Sequence, residues 1–584
     1  MQNYKTQKKK SFWGRLINRS IIASLLTYLS VRFHYFLSDS FVARIFYISD
    51  GAEGLRKSGL FGSLYSKIDK SPVFPTVRRT FAKNVESSRF VAAYRAFVHK
   101  AVTSSVRTTG VFVLSGGLYA LLGYIMNWIQ SGPDFRTYYE LVIIAAMIIC
   151  GSLMLFSQRS NGRKLHESRF MSAVLFDFLG LNPLSVDKDT KSENHFLAAF
   201  LGGIVFGVIS FVTSVGTALA VLAAIVVVML VVYSPESGLL LSMMLIPIFE
   251  TETVAYLLVV TLVSFFFKLL RGKRNLTFKA EDIASLFAAL AFVIFFPVGS
   301  KLLVSLMITV YFMASNLMRS MEYLKKSVNS LSFGLSLNVI ANAVSGGMSV
   351  FGITTGLLSG FDPGKIVVSG EYTAILALIF SLYMLFEKNC VFHFVYRLLF
   401  VVCSLASVFM TMSETVWLIA LISVFVYFVY RTLRFFNVTF VYLLLAPVFY
   451  FIYMFASYKF DILPFSLCGS ASCGDSGIRA LLFGSGMLGD GMMFTFFSAF
   501  GVFGCLLIAF MLYMLLSRAI CSSRYSRNGA REFCALIVAS LCAFTVCGTH
   551  SAFDTQLLTF WTFCGLISAT GNVVTSVSPE DEYY

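Results

Sequence analysis

The stretch "VGTALAVLAAIVVVMLVVY" (Val215–Tyr233) has no charged residue and no turn signal. An apolar run of about 18 residues or more is long enough to cross a bilayer core of about 30 Å as a helix. Similar runs recur near 108–130, 139–157, 195–213, 237–249, 253–270, 282–297, 301–318, 331–350, 371–387, 392–410, 414–431, 437–455, 492–517, 532–548 and 552–571, of which 237–249 is short and 331–350 carries polar residues. In lipid only helices and closed barrels satisfy their backbone groups. Barrel strands alternate over about ten residues, whereas these runs are uniformly apolar. The 584-residue chain is 57% hydrophobic and 13% charged, with 61 phenylalanines, and its mean hydropathy is +0.78. A soluble fold could not bury that much apolar surface. The expectation is an all-α, polytopic transmembrane helical bundle of about 14–16 spans.

Charge orients it. The net charge is +16, and residues 1–107 hold about 19 Lys and Arg against about 5 Asp and Glu, so most of the excess sits in this arm. Such an arm fits the cytoplasmic side, with anionic lipid as partner rather than nucleic acid. It lacks the h-region and small-residue cleavage site of a signal peptide. "SIIASLLTYLSVRFHYFLSDSFVARIFYIS", interrupted by Arg32, His34, Asp39 and Arg44, reads as an amphipathic helix along the membrane surface.

With the amino terminus inside, "QRSNGRK", "KLLRGKRN", "MRSMEYLKKS", "YRTLRFF" and "SRAICSSRYSRNGARE" all fall inside. "SGPDF", "IFETET", "FDPGKIVVSGEY", "TMSE", 456–491 and "GTHSAFD" fall outside. The organisation expected is a basic cytoplasmic arm (1–107), two spans with a basic cytoplasmic loop (108–194), a transmembrane domain (195–575) with an outer loop at 456–491, and a cytoplasmic tail (576–584).

No Walker loop, HExxH, GxSxG or dinucleotide fingerprint occurs in a suitable context. Cysteine spacing gives no zinc pattern, and neither a metal nor another cofactor is expected. Cys468 and Cys473 read equally as a small disulfide or two free thiols.

Long structured loops usually carry function. The outer loop contains "GDSGIRALLFGSGMLGDG" (Gly474–Gly491). Arg479 offers a planar cationic fork suited to a diphosphate or carboxylate, or it pairs with Asp475 or a lipid phosphate. Gly484, Gly486 and Gly489 permit close backbone approach to a bulky ligand. Glu414 in "TMSETVWLIALIS" reads as a first-turn acid at a helix start or as a general base. His550 and Asp554 in "GTHSAFDT" read as turn residues or as a base and its neighbour. Asp362, Lys365 and Glu371 belong to a Pro-Gly turn, with Lys365 a second candidate cation. His393 and Arg397 read as snorkelling to headgroups.

The order of these stretches resembles the O-antigen ligase and O-antigen polymerase-like family of integral membrane enzymes. "SPESGLLLSMMLIPIF", "GKIVVSGEYTAILALIFSLYMLF", "VFMTMSETVWLIALISVFVYFVYR" and "SGIRALLFGSGMLGDG" followed by "FSAFGVFGCLLIAFMLYMLL" carry the resemblance, over roughly 195–575. It implies a bundle of the membrane glycosyltransferase type in the bacterial cell envelope. The implied activity is metal-independent transfer or polymerisation of glycan from an undecaprenyl-diphosphate-linked donor at the outer face.

In that family, outer arginines hold the diphosphate and a loop histidine activates the acceptor. Arg479 matches one arginine. Glu414 stands where another is placed, and the histidine segment after the glycine loop is missing. His550 or Glu414 is then the candidate base and Lys365 a substitute cation. Two alternatives remain: an inactive family member that binds lipid-linked glycan or scaffolds its synthesis, and a lipid or polysaccharide transporter.

Overall fold

The computed structural model describes residues 32, 73–131, 135–181, 195–271, 282, 285–287, 290, 301–350, 370–387, 392–411, 414–432, 511–512, 514–516, 530–546 and 553–576. Among them every regular element is helical and no strand occurs, so the chain is all-α. In chain order the elements are α1 (Val73–Ser87), α2 (Arg89–Thr103), α3 (Val106–Ser131), α4 (Phe135–Met154), α5 (Asn161–Glu167), α6 (Arg169–Ser172, continued by a π-turn, Ala173–Phe178), α7 (Phe196–Val212), α8 (Val215–Tyr233), α9 (Pro235–Leu245), α10 (Thr251–Leu270), α11 (Lys301–Leu317), α12 (Met321–Val350), α13 (Glu371–Phe386), α14 (Phe394–Met410), α15 (Glu414–Thr432), α16 (Ala530–Val546) and α17 (Phe553–Ser576).

Three described segments are long and apolar enough to cross a membrane: Val106–Gln130, Val215–Tyr233 and Thr251–Leu270. Two expectations shift. The run at 237–249 forms an 11-residue helix, short of the about 20 residues a crossing needs. Conversely, α12 has 30 residues and starts at Met321. The polar "EYLKKS" is helical there, with Lys326 Nζ 2.7 Å from Glu322 one turn earlier. The surface helix expected within 20–49 and the spans at 437–455 and 492–517 lie largely or wholly outside the described residues, as does most of 282–297.

The chain divides into two compact units. One comprises Pro75–Gly238 and Val263–Arg274. In it α3 packs against α4 and α7. α7 lies along α3 in parallel: Gly203 meets Phe112, Ser115 and Gly116, and Gly207 meets Tyr119. A Cβ at Gly203 or Gly207 would collide with these neighbours, so the Gly-x-x-x-Gly spacing sets the helix separation. α4 runs antiparallel, and a Cβ on Gly151 would sit 2.7 Å from the Leu114 nitrogen. Leu197, Val205 and Val212 of α7 are exposed, a surface composed for apolar surroundings.

α1 and α2 dock where α8 and α10 finish. Tyr94 Oη donates to the Met229 carbonyl at 2.7 Å, and Phe81 meets Phe267 edge-on with centroids 5.3 Å apart. Burial holds the Tyr94 phenol above its ordinary pKa, with a smaller contribution from Tyr233.

The other unit comprises Met1–Phe74, Leu239–Leu262 and Asn275–Tyr584. At its centre is α13, buried through most of Tyr372–Met384 and packed by α12, α14, α15 and α16. α17 brings Trp561, Phe560 and Phe563 into the core and lies against α11. Gly565 permits that approach, since a Cβ there would come within 2.7 Å of Ala314 Cβ and 2.8 Å of the Tyr311 carbonyl oxygen.

Candidate functional site

Hydrogen bonds give the directions of the helices in the Leu239–Leu262/Asn275–Tyr584 unit. Arg397, near the start of α14, donates to the carbonyls of Met384 and Glu387 at the end of α13, at 3.1 and 3.0 Å. Trp417, near the start of α15, donates to Val408 near the end of α14 at 3.1 Å. Arg431, at the end of α15, donates to the Phe386 carbonyl at 3.4 Å. Thus α13 and α15 run one way and α14 the other. The charge of Glu532, in the first turn of α16, reaches Tyr427 near the end of α15, so α16 opposes α15.

One end of this unit therefore gathers Arg397, Arg431, Glu387 and Glu532. The two guanidiniums occupy carbonyls left open at the end of α13, where the helix dipole favours cations. Arg431 also lies 4.8 Å from the Phe386 ring centroid and bonds Tyr427 Oη at 3.0 Å. Snorkelling had been expected of Arg397 and His393. Arg397 instead binds main-chain carbonyls, and His393 Nδ1 accepts the Val395 N–H at 3.5 Å as a cap on α14.

The opposite end gathers the starts of α13 and α15, where Glu371 and Glu414 are the first helical residues. Glu414 thus opens the first turn of α15. α16 closes at Val546 at this same end, and the six residues that follow it, 547–552 with His550, lie outside the described residues. Asp554 stands in the first turn of α17. Two of the acids singled out by sequence therefore share one end with the close of α16. Arg479, Lys365, Gly484, Gly486, Gly489 and His550 lie outside the described residues, as do Asp362, Cys468 and Cys473.

Sequence reasoning missed a buried carboxyl group. Asp282 is 1% exposed. Tyr311 Oη on α11 donates to Asp282 Oδ1 at 2.6 Å, and Ser568 Oγ on α17 donates to the same oxygen at 3.4 Å. The Tyr311 ring meets Trp561 edge-on at 6.2 Å. One carboxylate oxygen accepting two hydroxyls ties three distant chain segments together. The available signal was an acid at the head of the long apolar run "DIASLFAALAFVIFF". Among the described residues no group of three or more His, Cys, Asp or Glu assembles to hold a metal. No protein-family model, curated protein or solved structure matches this chain.

Proposed function

We propose that the chain is a multi-pass membrane glycosyltransferase-type protein, amino terminus in the cytoplasm, that transfers or polymerises envelope glycan from an undecaprenyl-diphosphate-linked donor. The observation that supports this reading is the shared end of Glu371, Glu414 and the close of α16, opposite the Arg397–Arg431 end. The basic stretches "YRTLRFF" and "SRAICSSRYSRNGARE" adjoin the Arg397–Arg431 end in sequence, and basic connections stay in the cytoplasm, so the end bearing Glu371 and Glu414 is read as the outer one. The ordered motif resemblance over 195–575 supplies the chemistry.

In the reaction proposed, an acceptor sugar hydroxyl attacks the donor's anomeric carbon. The carbon–oxygen bond to the diphosphate breaks, and undecaprenyl diphosphate leaves with the bonding pair. The hydroxyl proton passes to His550 or Glu414. Arg479, with Lys365, holds the departing diphosphate, while Gly484, Gly486 and Gly489 let the loop backbone approach it. Replacing Arg479 with Ala in the native host should shorten or abolish the polymer while protein level stays normal. Unchanged polymer removes Arg479 from the mechanism. Binding of lipid-linked glycan by the purified protein without turnover would establish the inactive, scaffolding alternative.

Asp282, buried at the head of the 282–297 run between α11 and α17, favours a second reading, transport, because buried ionisable groups in apolar bundles mark ion or substrate pathways. Flux in proteoliposomes that disappears in Asp282→Asn, with polymer intact on deletion, would select it.

A further inference from the structure

The structure assigns an anionic phospholipid headgroup site to the junction of α2, α3 and α5; this rests on the reading of α3 as membrane-spanning and of the basic arm as lipid-facing. A short bridge staples the junction. The Val106 N–H donates to the Arg159 carbonyl and the Asn161 N–H to the Ser104 carbonyl, both at 2.9 Å. Asn161 Nδ2 adds contacts to the Ala101 carbonyl at 3.0 Å and to Ser104 Oγ and Thr109 Oγ1 at 2.9 Å. Ser160 Oγ caps α5 by accepting the Arg163 N–H at 3.3 Å.

This staple fixes Lys100, Arg107, Arg159, Arg163 and Lys164 within about one helical turn of the bridge. All five are exposed, and the carboxylate set among them is Glu167, which pairs with Arg159 and Arg163. Arg107 also lies over the Phe196 ring, 5.5 Å from its centroid.

Two features commit the site to lipid rather than to another polyanion. Arg107 is the second residue of a helix long and apolar enough to span a bilayer from Val106, which puts its guanidinium at headgroup depth. Large apolar side chains stand bare beside the cations: Phe156 is 85% exposed, Leu153 66% and Phe97 58%. Rings and cations side by side at a span end form an interfacial surface, the rings in the acyl boundary and the cations on phosphate.

The test is native mass spectrometry of the full chain in neutral detergent, titrated with phosphatidylglycerol or phosphatidylcholine. Wild type should bind phosphatidylglycerol more tightly. The triple variant K100Q/R107Q/K164Q should lose about fivefold in phosphatidylglycerol affinity per charge removed and keep its phosphatidylcholine affinity. R107K should retain binding, and R78Q/R79Q/K83Q on α1 should match wild type. Unaltered thermal melting of the triple variant separates lost binding from lost folding.

Equal loss in both triple variants overturns the site and leaves a diffusely basic, lipid-binding arm. Equal affinity of wild type for the two lipids overturns the arm reading as well. Displacement of phosphatidylglycerol by equimolar inorganic phosphate, or copurification of nucleic acid that R107Q releases, overturns lipid as the occupant.

Discussion

At the scale of single residues, hydroxyls and guanidiniums hold the charged groups. Glu167 is slightly desolvated, which raises its pKa, but hydrogen bonds and charge from Arg159 and Arg163 outweigh this and hold it below its ordinary 4.5. A depressed carboxyl contributes stability that is present above the unfolded value and lost as pH falls through the folded one. Titration of isotope-labelled Glu167 by infrared spectroscopy should therefore give a midpoint below 4.5. A midpoint at or above that value would show that the two arginines do not hold the carboxylate. Tyr311→Phe removes the hydroxyl that donates to Asp282 at 2.6 Å, and loss of such a partner at a buried acceptor costs about 1–3 kcal/mol. Thermal melting should show Tyr311→Phe clearly less stable than wild type and Ser568→Ala less affected, because its bond is longer. Equal, negligible shifts would mean that the three residues are not coupled.

At the scale of elements, small residues decide how closely helices approach. Gly207→Leu should separate α3 from α7, since even a Cβ would strike Tyr119. Overpacking of this kind costs about 1–3 kcal/mol or more. Gly216→Ala, whose Cβ would meet no neighbour nearer than Ser214 Oγ at 4.0 Å, should be tolerated. Melting temperatures of the two variants check this, and similar losses in both would contradict the packing account. Many elements were legible because long apolar runs, with charges confined to their ends, stop at polar boundaries. Phe196–Val212, Val215–Tyr233, Phe394–Met410 and Glu414–Thr432 match the expected spans within about two residues. The head of α12 was hidden because local polarity reads as a loop, while Glu322 and Lys326 pair along a helix. The end of the 237–249 run was hidden for the opposite reason: apolar character continues through a turn containing Pro247.

At the scale of the whole molecule, the sequence revealed the sign of charge at each connection but not which distant groups meet. The Asp282–Tyr311–Ser568 contact joins positions 29 and 286 residues apart, and no periodicity encodes it. The candidate site was partly legible: helix starts placed Glu371 and Glu414 at one end, whereas a conjunction with Arg479 depends on tertiary structure outside the described residues. The account's central claim is that the end bearing Glu371 and Glu414 faces out and the end bearing Arg397 and Arg431 faces in. Single cysteines introduced by Thr411→Cys, Glu387→Cys or Glu532→Cys into a cysteine-free chain, probed in intact cells with a membrane-impermeant maleimide, test it most directly. The account predicts labelling at position 411 in intact cells, and at 387 and 532 only after permeabilisation; the reverse pattern, or equal labelling at all three, would contradict it.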